Sequence, residues 1–241
     1  MLDGCRAAGH GSRRQVRGGS WSVAGALWPD PSGQLRPVEC IRASSSIGSS
    51  VGVGCAIGPR LRLVKIYTRH GDDGTTGLLY GGRVAKDSAA PMAYGAVDEA
   101  QAAIGLARAE ADAELGEILL LIERDLWVLM GELATDPSSR DRLVPGATLV
   151  SEEMVASLET TIDAISERFD PPTEFVVPGQ NRIGALLDVA RTVVRRAERD
   201  AMSAVVEGSI VVPYLNRLSD LLWTLARWQE GTSLPTRSVR P

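Results

Sequence analysis

The sequence predicts an all-α protein: a five-helix bundle preceded by a disordered N-terminal extension. Three observations carry that expectation. From residue 88 almost to the end, apolar residues recur at the 3–4 spacing of helices that bury one face. Mostly short links join these stretches, and no alternation of strand and helix patterns appears, so helices must pack on helices. Residues 1–60, in contrast, hold eleven Gly and nine Ser with no sustained period. Such a composition buries too little apolar surface to offset the chain entropy of ordering it. Two domains follow, an extension over 1–60 and a bundle over 61–241.

Inside the extension two signals compete with disorder. "SRRQV" followed by "WSVAGALW" has the outline of a twin-arginine export signal, but its apolar stretch is short and is closed by "PDPSG". "GVGCAIGP", residues 52–59, has the spacing GxGxxxG and runs into Pro59 instead of a helix, so it reads as linker. Translation starting near Val64 is a third explanation for a segment of this kind.

The elements of the bundle follow in order. "YTRHGDDGTTGL", residues 67–78, is a glycine- and threonine-rich turn. Residues 88–112 form an Ala-rich amphipathic helix with Tyr94, Val97, Ile104 and Leu106 as its apolar surface. Between 114 and 136 the stripe Leu119, Ile122, Leu126, Leu129 and Leu133 marks a second helix. A third begins at Ser151, where "SEEM" puts acids in the first turn, and ends near Phe169 before "DPP". The fourth covers about 181–207, and the fifth about 213–230 with Leu215, Leu218, Leu222 and Leu225 on its inner face.

Composition narrows the function. The net charge of −4 divides into about +4 over the first sixty residues, with seven Arg against three acids, and about −8 over the rest. An acidic body argues against a nucleic-acid partner. No apolar run approaches the ~18 residues of a membrane span. Cys5, Cys40 and Cys55 all lie in the extension, so the body has no disulfide or thiolate metal site, which suits a reducing cytoplasm.

Two stretches carry candidate chemistry. In "RTVVRRAER", residues 191–199, Arg191, Arg195, Glu198 and Arg199 share one helix face and Arg196 projects to the side. A solvated face with Arg–Glu pairs explains the pattern, and so does a phosphate site, because guanidinium groups grip phosphate oxygens in pairs. The turn at 67–78 lacks both the EF-hand and the Walker A spacing. It reads either as a surface turn or as a nest of backbone N–H groups around an anion, aided by Thr75 and Thr76.

Six blocks, "KIYTRHGDDGTTGL", "RVAKDS", "YGAVDEAQAAIGLA", "FVVPG", "ARTVVRRAER" and "YLNRLSDLLWTLAR", stand in the order and at about the spacing of the PduO-type ATP:cob(I)alamin adenosyltransferases. The resemblance covers roughly residues 64–230. It implies a five-helix cobalamin adenosyltransferase-like bundle, assembled as a homotrimer with sites between subunits. The implied reaction moves the 5′-deoxyadenosyl group of ATP to cob(I)alamin, releasing triphosphate, with Mg²⁺ bridging the phosphate oxygens. By matched position, Thr68, Arg69, His70, Gly71, Thr76, Gly77 and Lys86 would line ATP from the loop side. Arg195, Arg196, Glu198, Arg199 and Asn216 would complete that site, with Arg195 steadying the triphosphate as the residue that matters most to the chemistry. Arg191 would pair with Asp98 across the subunit interface, and Phe175 would occupy the lower face of the corrin in place of its axial ligand. A corrinoid reductase and an adenosylcobalamin-dependent mutase are the implied partners.

Some positions depart from the family pattern. His70 stands where Thr or Asn is common, Gln180 replaces a Gly, and Asp188 and Val194 replace a frequent His and Cys. Two other functions compete with the transferase. A trimer that only carries adenosylcobalamin would have no need of Arg195, Lys86 and Asn216. A ferritin-like di-metal bundle fails because His10 and His70 are the chain's only histidines and neither falls in a helix, leaving no ExxH pair.

Overall fold

A computed structural model describes residues 67–239 together with two short strands, β1 (Leu27–Pro29) and β2 (Leu35–Pro37). β1 and β2 pair antiparallel, with Trp28 opposite Arg36. Both strands fall within the extension that the sequence reads as largely disordered, and five residues separate them. The export-like stretch "SRRQV", the glycine run at 52–59 and the three cysteines lie outside the described residues.

Five helices form the second unit of the chain: α1 (Ala89–Ala109), α2 (Ala113–Leu133), α3 (Glu152–Ser166), α4 (Arg182–Ala201) and α5 (Val211–Glu230). Their directions alternate. Arg182 pairs with Glu110 and Arg196 with Glu99, so α4 runs antiparallel to α1. Asn216 meets Glu198, and Arg227 meets Asp188, so α5 is antiparallel to α4. At one end of the bundle a β-hairpin of β3 (Thr75–Gly77) and β4 (Arg83–Ala85) covers the start of α1 and the end of α2, stapled there by the Leu79 N–H donating to the Ala134 carbonyl at 2.8 Å. The opposite end holds the α3–α4 connection and the residues that follow α5.

The core follows the sequence stripes. Leu119, Ile122, Leu126, Leu129 and Leu133 of α2 are buried, as are Leu215, Leu218, Leu222 and Leu225 of α5. Each contributes roughly 2 kcal/mol by leaving water. α5 is buried on more than one side, because α3 and α4 both pack on it. One expected core residue is misplaced: Leu106 is exposed, and α1 closes on its neighbours through Ala93, Ala96, Ala100 and Ala107, whose small side chains let backbones approach. α4 stops at Ala201, short of 207, because the chain turns through 202–210 with Gly208 at φ 77°. α5 begins two residues earlier than expected, which places Pro213 in the first turn, where its missing N–H costs nothing.

Buried Glu132 joins the connections at the hairpin end. Its carboxylate accepts from Arg140 at 2.9 Å, from the Val150 N–H at 2.9 Å and from the Ser209 hydroxyl at 2.7 Å, which ties the links before α3 and α5 to α2. Among the described residues no helix is long and apolar enough to cross a membrane.

Candidate functional site

The turn at 67–78 becomes the leading arm of the β3–β4 hairpin, and its shape is set by two side chains. Asp73 accepts from the Thr75 N–H at 2.9 Å and from the Thr75 hydroxyl at 2.8 Å, closing an Asx turn. The Thr75 hydrogen bonds, with Arg83 adding its charge, hold the Asp73 carboxyl below the usual aspartate range. Arg83 spans the arm: its Nη2 donates to the His70 carbonyl at 2.5 Å and to the Thr75 Oγ1 at 2.6 Å, its Nε reaches Thr75 at 3.0 Å, and Asp73 lies 3.6 Å away. Sequence reasoning missed this arginine. The signal was the reversal "LLYGG" between two segments too short to show a strand period, which places Arg83 opposite Gly77.

Several loop residues named from the sequence gather here. A side chain added at Gly71 would meet the Lys86 ammonium at 3.0 Å and the Thr75 carbonyl at 3.1 Å, so Lys86 lies over the loop and Gly71 leaves the room for it. Thr76 and Gly77 form the strand, and Thr68 accepts from the His70 N–H at 3.4 Å. Arg69 takes φ 63°, an uncommon backbone conformation for a side chain of its size, and the Thr68–His70 segment is exposed. The result is an exposed arm with Arg69, Arg83 and Lys86 on it.

On α4 the charged residues separate into two groups. Asp188, Arg191, Arg195, Glu198 and Arg199 fall on one face. Glu198 accepts from the Asn216 amide at 3.0 Å, which brings together two expected site residues from α4 and α5. Arg199 donates to the Arg195 carbonyl at 2.8 Å, and Arg195 itself is exposed with no ion pair among the described residues. Arg196 goes elsewhere: it forms an ion pair with Glu99 of α1, which raises its pKa. Arg191 pairs within the chain with Asp188 at 3.2 Å, while Asp98 stands exposed on α1. Among the described residues no hydrogen bond or ion pair joins the 67–88 arm to Arg195, Arg199 or Asn216.

At the other end lies a groove of about 960 Å³ lined by Phe175, Val176, Asp188, Arg191, Trp223 and Arg227, among others. Phe175 is 91% exposed, so it is not the core residue that its type alone would suggest. Its carbonyl accepts from both the N–H and the hydroxyl of Thr236, at 2.8 and 2.5 Å. The floor of the groove is ionic. Arg227, fully buried, donates to Asp188 at 2.5 Å, and its Nε lies 3.2 Å from the Glu230 carboxylate but off the hydrogen-bonding direction. Glu230 packs over Gly184, where an added side chain would sit 2.7 Å from its Cγ. Arg227 and Glu230 were also missed from the sequence, because what buries them, Asp188 and Gly184, lies on another helix.

Along α4, Arg191 and Arg195 are one turn, about 6 Å, apart. The charged face therefore runs without a break from an aromatic groove to a set of exposed guanidinium groups. Such an arrangement suits a large flat ligand beside a polyanion. Among the described residues no cluster of three or more His, Cys, Asp or Glu side chains gathers to hold a metal ion.

Residues 66–229 match the cobalamin adenosyltransferase family. The corrinoid adenosyltransferase of Mycobacterium tuberculosis is 44% identical over 174 residues, covering 69% of this chain and 89% of that protein. The corrinoid adenosyltransferase of Bacillus subtilis is 39% identical over 172 residues, covering 68% and 86%. Among solved structures, a variant PduO-type ATP:corrinoid adenosyltransferase from Lactobacillus reuteri complexed with cobalamin and ATP superposes with a TM-score of 0.65 at 28% identity, covering 72% of this chain and 99% of that one.

Proposed function

The chain belongs to the cobalamin adenosyltransferase family, and from that premise we propose how its own residues transfer the 5′-deoxyadenosyl group of ATP to cob(I)alamin. The cobalt lone pair forms the bond to C5′, and the C5′–O5′ bond breaks with its electron pair leaving on triphosphate. Co(I) is already a strong nucleophile. The protein's tasks are to align C5′ with cobalt and to stabilise the charge that collects on the leaving group.

Arg195 is the group we assign to the triphosphate, with Arg199 beside it and Glu198 and Asn216 fixing each other at the edge of the site. Thr68, Arg69, His70, Gly71, Thr76, Gly77 and Lys86 supply the loop wall. In one chain this wall and the α4 arginines are not joined by a polar contact. We therefore propose a homotrimer in which the loop of one copy meets α4 of the next, with Asp98 and Arg191 paired across that interface. Arg196 supports the site through α1 instead, by its pair with Glu99. Phe175 faces the corrin's lower side, where an apolar ring takes the place of the axial ligand.

Mg²⁺ would arrive on the phosphate oxygens of ATP. Asp73 is engaged by Thr75 and Arg83, which leaves exposed Asp72 as the loop carboxylate able to meet the ion's hydration shell. A reductase that supplies Co(I) and an enzyme that uses adenosylcobalamin, such as a mutase, are the partners we infer, in the cytoplasm. The observation that carries the whole reading is the unbroken α4 face from the Phe175 groove to Arg195.

The test is an anoxic reaction of the full chain with chemically reduced cobalamin and ATP, following the light-sensitive adenosylcobalamin spectrum and triphosphate together. Equal amounts of both products are expected. Cobalamin binding with neither product formed would overturn the transferase in favour of a carrier.

A further inference from the structure

Asp188 is an unusual residue for a groove floor. Its side chain is 6% exposed, its Oδ2 is taken by Arg227 and its Oδ1 by the Nε of Arg191 at 3.2 Å. Arg227 cannot swing away, since it is 1% exposed and flanked on its other side by Glu230, itself wholly buried and pressed against Gly184. The carboxylate of Asp188 is thus fixed from behind by a buried charge, and Arg191 is fixed by Asp188.

The geometry of that last bond matters. A guanidinium presents five N–H donors in a planar fork. Asp188 uses the Nε edge of Arg191, so the two terminal nitrogens remain available to a second carboxylate, and the plane of the fork is already set. At 26% exposure, Arg191 still reaches the surface.

We propose that Arg227 and Asp188 are positioning residues that orient the Arg191 fork toward Asp98 of a second copy, so that α5 sets the alignment of the groove at the subunit boundary. This inference rests on the proposed Asp98–Arg191 pairing. Neither Asp188 nor Arg227 touches the reacting atoms. Their effect passes through Arg191 to the place where the Phe175 groove meets the neighbouring subunit.

The experiment is a double-mutant cycle with Asp98→Asn and Asp188→Asn in the full chain, measuring kcat/KM for cob(I)alamin at saturating ATP, KM for ATP, and the unfolding midpoint. Each single substitution is expected to lower kcat/KM for cob(I)alamin about tenfold, a coupling of the size found within one ionic network. The pair is expected to lower it no further than either alone, with KM for ATP unchanged. If Asp98→Asn has no effect in the wild-type background, the pairing across the interface fails and this inference with it. If Asp98→Asn has its effect but the double variant loses about a hundredfold, the pairing stands and the positioning role is overturned. Should Asp188→Asn not fold, Arg227→Lys takes its place, since it keeps the buried charge and loses the fork that holds Asp188. It is expected to abolish the sensitivity to Asp98→Asn, and a lysine variant equal to the wild type would overturn the proposal.

Discussion

The 67–88 arm and the groove floor, at opposite ends of this bundle, are held by opposite means. In the 67–88 arm the ordering contacts are exposed: Asp73, Thr75 and Arg83 share hydrogen bonds in water, and side-chain exposures of 45% for Arg83 and 63% for Asp73 leave their ion pair screened. At the groove end Asp188, Arg227 and Glu230 are at most 6% exposed, and their charges have no water to fall back on. The first kind of ordering is cheap to make and easy to adjust, which suits the loop wall proposed for the triphosphate. The second is costly to disturb and holds one arrangement, which suits the groove proposed for the rigid corrin.

The largest effect that would break this comparison is on stability. Arg227→Ala leaves buried Glu230 without its cation and Asp188 with Arg191 alone, and is expected to cost about 3–5 kcal/mol in urea unfolding. Combining Arg227→Met with Asp188→Asn and Glu230→Gln should return much of that loss, because replacing a whole buried ionic group is far less costly than halving it. A loss below about 1 kcal/mol for Arg227→Ala would mean the floor is hydrated and the contrast between the ends is false.

Next comes turnover. Arg195→Ala is expected to lower kcat about a hundredfold, as loss of one donor to a developing charge does elsewhere, and to leave the unfolding midpoint almost unchanged because its side chain is exposed. Equal loss of activity and stability would remove Arg195 from the chemistry. Arg83→Ala is the smaller counterpart in the arm. It should raise KM for ATP about tenfold, the scale of one lost charge-assisted contact network, with little change in KM for cob(I)alamin. Parallel changes in both would show that the hairpin and groove are not separate supports.

Much of this was legible in the sequence. The stripes Leu119 to Leu133 and Leu215 to Leu225 located two helices because burial on one face imposes a period that local composition records. The α4 face was legible for the same reason, since 100° per residue puts Arg191, Arg195 and Arg199 together whatever surrounds them. What escaped were pairings across elements. Asp188 and Arg227 are 39 residues apart and meet only because α4 packs on α5. Three-residue strands carry no readable period, so Arg83 looked like any loop cation. Phe175 shows a different limit: a phenylalanine reads as core until its surroundings are known, and here the backbone around it is held by Thr236 while the ring is left in solvent.

The smallest effect is one of pH, and in the arm it rests on Asp73. Asp73 is held below the ordinary aspartate pKa of 3.8, chiefly by the Thr75 N–H and hydroxyl. A carboxyl whose folded pKa is depressed contributes order that is fully present above its unfolded pKa and is lost as the pH falls through the folded one. The arm should therefore keep its Asx turn down to about the usual aspartate range and lose it below. Hydrogen exchange of the Thr75 N–H is the readout. Protection that fades on acidification through that window is expected in the wild type, and Asp73→Asn, which retains an acceptor oxygen but cannot ionise, should make the same amide insensitive to pH there. Protection that falls equally in both proteins would mean that the acid step lies in the bundle and that the arm has no independent order to lose.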